Sequence, residues 1–159
     1  MTSLFQAVGE CRVDMAAGPD AVPGVAPGTA PGAVPGAFAA AFVFPSEFLG
    51  FAGHFPGRPV LPGIAQIMAV VHACGDGAPP VLRGIKTCKF LRPVIPGERV
   101  AIQGVKKSEG PAATVTAAMA VDGVPCASMT LSVAQSAALP MALSMALSMD
   151  GPGDEGAEP

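Results

Sequence analysis

The chain has 159 residues, half of them hydrophobic, with 9 basic and 12 acidic side chains and no tryptophan or tyrosine. That length implies one domain plus tails, with enough apolar content for a packed core. The longest apolar run, after Gly63, is interrupted by Gln66 and His72 and is too short to span a bilayer.

Charge and cysteine use narrow the class further. Residues 38–135 hold eight basic and five acidic side chains, while both ends are acidic. A mildly basic body with acidic ends suits an acidic protein partner, although ordinary surface charge explains it equally well. Nucleic acid is not an expected partner. Cys11, Cys74, Cys88 and Cys126 form no CxxC pair, and the amino end shows no signal-peptide pattern. A reduced, cytoplasmic protein is therefore expected.

In chain order, residues 3–14, "SLFQAVGECRVD", suggest a strand within a first-strand region, residues 1–15. Residues 16–37 repeat Pro-Gly at Pro23, Pro27, Pro31 and Pro35. That repeat denies a helix and supplies few bulky side chains, so a disordered insertion is expected. "FAAAFVF", residues 38–44, predicts a second strand ended by Pro45. A helix is predicted from Pro62-Gly63 through "IAQIMAVVHAC" to Gly75; being apolar nearly all round, it should be buried. Three or four strands follow: "VLRGIKTCKFLRPV", "RVAIQGVKK", "AATVTAAMAV" and "VPCASMTLSVA", the last two joined by the Asp122-Gly123 hairpin turn. One buried helix followed by an antiparallel meander predicts an α+β layout, a curled sheet around the helix, over residues 38–135. Residues 136–159 repeat "ALSM" and end acidic, so a low-complexity, disordered tail is expected.

The stretch "GHFPGRPVLPG" carries the chemistry. Gly53, Gly57 and Gly63 permit tight turns, and Pro56, Pro59 and Pro62 stiffen the chain between them. Such a loop fixes a side chain, and His54 is its one group of the type that titrates near neutrality. Gly63 opens a helix whose first amides lack internal partners and suit an oxyanion. A base beside an oxyanion donor is what proton abstraction next to a carbonyl requires. From the residues alone, a structural loop histidine stands as the alternative.

The same stretch resembles the active-site loop of the β-hydroxyacyl-ACP dehydratases, hotdog-fold enzymes of fatty-acid synthesis. "KFLRPVIPGERV" and "AVDGVPCASMTLSV" are similar to that family's later segments. The resemblance implies a hotdog fold, an antiparallel sheet wrapped around a long central helix, in a homodimer that could assemble further. It implies that His54 is the general base acting on a 3-hydroxyacyl thioester and that the Gly63 amide polarises the thioester carbonyl. Phe55, Pro56, Gly57, Pro62 and Met68 become the substrate-binding candidates. No metal or soluble cofactor is implied, because the acyl chain rides on the phosphopantetheine of an acyl carrier protein, or on coenzyme A. Lys86, Lys89 and Arg92 would then offer a docking patch for the carrier, with a solvated sheet face as the plainer role.

One departure bears on mechanism. The family's helix carboxylate, which the other subunit supplies, falls at Met68, and its usual neighbouring glutamine falls at His72. Methionine cannot give or take a proton. "PVLPG" followed by glutamine at Gln66 is similar to divergent dehydratase-like hotdog proteins, including those of aryl-polyene-type pathways. Gln66 and His72 are thus the candidate substitutes, Gln66 orienting a hydroxyl or water and a cationic His72 donating to the leaving group. Two histidines in opposite states would give a bell-shaped pH profile. Glu47 is the fallback carboxylate. A non-catalytic acyl-thioester binder and a hotdog thioesterase are the alternatives to the dehydratase.

Overall fold

The computed structural model describes residues 2–13, 34–75 and 78–135. Most of the Pro-Gly stretch and the whole of the 136–159 tail lie outside the described residues.

The amino-terminal segment corrects the expected strand. It forms helix α1, Leu4–Glu10, and only then a two-residue strand β1, Arg12–Val13. Ser3 explains the helix start, because its Oγ accepts from the Gln6 amide at 3.2 Å. Leu4, Phe5, Ala7, Val8 and Cys11 recur at helical spacing and pack on the core.

Strand β2, Ala37–Val43, follows a turn in which the Ala37 amide donates to the Val34 carbonyl. Helix α2, Gly63–Ala73, is capped by Pro62 and buries seven of its eleven residues. Four strands come next: β3, Val81–Phe90; β4, Arg99–Glu109; β5, Ala112–Val121; and β6, Val124–Ala134. Asp122 and Gly123, at φ 49° and 75°, make the tight β5–β6 turn, as the Asp-Gly pair predicts.

All six strands join one antiparallel sheet in the order β1-β2-β4-β5-β6-β3. Apolar residues of α2, among them Ala65, Ile67 and Val70, share one core with Phe42, Ile102 and Leu131 of the strands. Burying one such large side chain contributes about 1.5–3 kcal/mol, so this shared core fixes α2 against the sheet. None of the four cysteines forms a disulfide. Burial pushes the Cys126 thiol up to about 11, which keeps it protonated at neutral pH.

Strand β3 closes one side of the sheet and pairs with β6 alone. Most of its side chains are exposed, including Val81, Ile85 and Phe90. The Phe90 ring also lies over the residue at the start of α2. A Cβ on Gly63 would lie 2.6 Å from the Phe90 ring, so only glycine fits beneath that ring as it stands.

Candidate active site

The histidine loop hangs from two fixed ends. The His54 amide donates to the Phe51 carbonyl at 3.1 Å, and the Leu61 amide donates to Val94 at 2.7 Å. Between them the Val60 amide donates to the His54 carbonyl at 2.9 Å. Phe55 and Arg58 exchange backbone hydrogen bonds around the exposed tip, where Gly57 takes φ 74°. The His54–Phe55 peptide is cis.

The His54 ring is half-buried, and its Nδ1 lies 3.0 Å from the Val60 carbonyl. A carbonyl only accepts, so Nδ1 carries the proton in the neutral ring. Nε2 is then the basic nitrogen. One hydrogen bond thus selects the tautomer that a general base needs. The ring also lies against Phe55, 4.3 Å between centroids.

Beside the loop is a cavity of about 310 Å³ lined by Val60, Leu61, Gly63, Gln66 and the Phe90–Pro93 segment. His54 is tied to this wall through Val60 and is not itself part of it. Gln66 is buried, and its Nε2 donates to the Leu61 carbonyl at 3.3 Å. Its Oε1 is buried with no partner among the described residues. The amide nitrogen must face Leu61, because two acceptors cannot bond, so Gln66, a residue of this wall, keeps a buried, unused acceptor.

His54, Gly63 and Gln66 are therefore brought to one region. Pro62 caps α2 beside them, while Phe55, Pro56 and Gly57 lie exposed at the loop tip. Met68 is half-buried and packs against the core, as a filler would. His72 lies against α1 and not on this cavity's wall. Its Nε2 lies 2.7 Å from the Phe5 carbonyl, and its ring stacks on Phe5 at 4.1 Å. A Cβ on Gly9 would come within 2.8 Å of the ring, so α1 holds it closely. Glu47 lines a separate cavity of about 480 Å³, with Glu10, Cys11 and Phe48, and accepts from the Ser46 hydroxyl.

Phe90, Leu91 and Arg92 escaped selection as residues of the site wall. The signal for them was the "KFLRPV" segment, whose fold neighbours only the structure displays. Arg92 donates to Glu98 at 2.5 Å, and the second Glu98 oxygen accepts from the Ile95 amide at 2.9 Å.

Comparison with known proteins bears on this geometry. The ApeI-like family, described as ApeI dehydratase, matches residues 35–129. The 3-hydroxyacyl-[acyl-carrier-protein] dehydratase FabZ of Bacillus pumilus is 36% identical over 95 residues, covering 52% of this chain and 66% of that protein. The FabZ of Clostridium acetobutylicum is 35% identical over 72 residues, covering 39% and 51%. The chain spans about half the length of such curated relatives. Among solved structures, the dehydratase heterocomplex ApeI:P from Xenorhabdus doucetiae matches with a TM-score of 0.52 at 20% identity, over 64% of this chain and 90% of that one. A point mutant of the fluoroacetyl-CoA-specific thioesterase FlK also reaches 0.52, at 17% identity over 64% and 85%. At such identities the structural likenesses establish the fold, a hotdog, and nothing finer. The matched segment contains the histidine loop, the Gly63 helix start and Gln66, and with it the chain belongs to the ApeI-like dehydratase family.

Proposed function

We propose that the protein removes water from 3-hydroxyacyl thioesters to give trans-2-enoyl thioesters, in fatty-acid or related acyl-chain synthesis. The observation that carries this is the His54 ring, held through Nδ1 by Val60, three residues before the first residue of α2, with Nε2 left basic. In this account Nε2 takes a proton from C2 of the acyl chain. The Gly63 amide donates to the thioester oxygen as negative charge develops there, an interaction that strengthens in the transition state. The unused Gln66 oxygen accepts from the C3 hydroxyl and fixes its direction.

The acyl group would arrive on an acyl carrier protein or coenzyme A, and the reaction calls on no metal or further cofactor. Two copies would associate through β3, whose exposed edge displays Val81, Ile85 and Phe90. An edge with no neighbouring strand among the described residues favours pairing with another strand. The names of the FabZ relatives support the dehydratase over a binder or thioesterase.

Purified protein incubated with 3-hydroxyacyl-ACP of several chain lengths should yield enoyl-ACP, seen by mass spectrometry as loss of water. Release of free acid would indicate a thioesterase, and an unchanged substrate a binding module. His54→Ala should lower turnover by about two to four orders of magnitude, the usual worth of a positioned base. Near-normal activity in that variant would remove the mechanism.

A further inference from the structure

We propose that His54 carries out both proton transfers of the elimination, so that no second residue acts as the acid. This rests on the dehydratase activity proposed above and concerns how that activity runs at a cavity that no described carboxylate lines.

The inference follows from what surrounds the cavity. Of the side chains on its wall, only Gln66 and Arg92 are polar. Gln66 gives one amide hydrogen to the Leu61 carbonyl and offers an acceptor, and a carboxamide does not release a proton, so it can hold a hydroxyl but cannot protonate it. Arg92 is a guanidinium bonded to Glu98 and does not release its proton in water. Met68 stands at the expected acid position and has no proton to give. His72 is held by Phe5 and Gly9 of α1. The described carboxylates are Glu10, Glu47, Glu98, Glu109 and Asp122, and none lines this cavity. A second copy of the chain would bring the same α2, again without an acid at Met68.

The proton already on hand is the one that His54 has just taken. The C2–H bond breaks, its proton goes to Nε2, and the electron pair moves into the thioester as an enolate facing Gly63. His54 is now an imidazolium, its Nδ1–H still donating to Val60. The same Nε2–H donates to the oxygen on C3. The C3–O bond breaks as the enolate pair forms the C2–C3 double bond, water leaves, and His54 returns to its neutral form. Atoms and charge balance with no outside acid. One nitrogen must reach both adjacent carbons, so the hydrogen lost from C2 lies on the same face as the hydroxyl. Gln66, accepting from that hydroxyl, holds it on the His54 side and serves as a positioning residue.

The test is the pH profile of kcat/KM for the full chain with 3-hydroxybutyryl-, 3-hydroxyhexanoyl- and 3-hydroxydecanoyl-pantetheine, each also prepared with deuterium on one or the other face of C2. A single histidine that must start neutral gives a rate that climbs through one ionisation and stays level to about pH 9. The deuterium on the hydroxyl's face should be lost and the other retained. A bell-shaped profile with a falling alkaline limb, or loss of the deuterium opposite the hydroxyl, would reveal a separate acid and overturn the proposal while leaving the dehydratase intact. Turnover of none of the three at any pH would overturn the dehydratase itself, and this proposal with it.

Discussion

At the scale of single residues, the two histidines separate by what holds them. Both bond a backbone carbonyl, His54 that of Val60 and His72 that of Phe5. His54 keeps its other nitrogen at a stiff, exposed loop, whereas His72 is stacked on Phe5 and covered by Gly9. His72→Gln should therefore act on stability. Losing the bond to Phe5 and the ring stacking should cost about 1 kcal/mol, read as a fall of a few degrees in Tm, with kcat per folded molecule unchanged. Loss of activity in well-folded His72→Gln would return His72 to the mechanism. Loop chemistry alone left His54 between a base and a structural loop histidine, and it was the resemblance of the whole "GHFPGRPVLPG" stretch that favoured the base. The direction of His72 was invisible, because on α2 it is fixed by α1, sixty-seven residues away from Phe5 in sequence. The partnerless Gln66 oxygen and the Phe90 ring over Gly63 were likewise beyond spacing alone, since each depends on a contact between separate segments.

At the scale of elements, α2 and the strands from β2 to β6 were legible, because each carries a long, uniform pattern ended by Pro, Gly or Asp-Gly. The amino-terminal segment was not. Its seven-residue helix is too short to be stable alone, and its helical character comes from Ser3 and from the core that its apolar face meets. Strand β3 bears the element-scale test. Its pairing with β6 shifts register twice, and its other edge has no strand beside it among the described residues. Ile85 is exposed, so Ile85→Lys should leave the protomer folded yet place a charge in the proposed dimer seam. Sedimentation at micromolar concentration should report a dimer for the wild type and a monomer for Ile85→Lys. A monomeric wild type, or a variant that still dimerises fully, would show that copies do not meet along β3.

At the scale of the whole molecule, the hotdog arrangement serves one purpose for the site: a shared core fixes α2 against the sheet, and its amino end meets the loop that carries His54. The fold alone does not choose a reaction, since the same architecture is found in ApeI:P and in the thioesterase FlK. The choice rests on His54 acting as a base on carbon rather than on a water aimed at the thioester. Running the reaction backwards in heavy-oxygen water distinguishes these directly. With trans-2-enoyl-ACP as substrate, the account predicts an intact 3-hydroxyacyl thioester carrying the heavy oxygen at C3, formed about two to four orders of magnitude more slowly by His54→Ala. Heavy oxygen in the carboxylate of a released free acid, with none at C3, would contradict it.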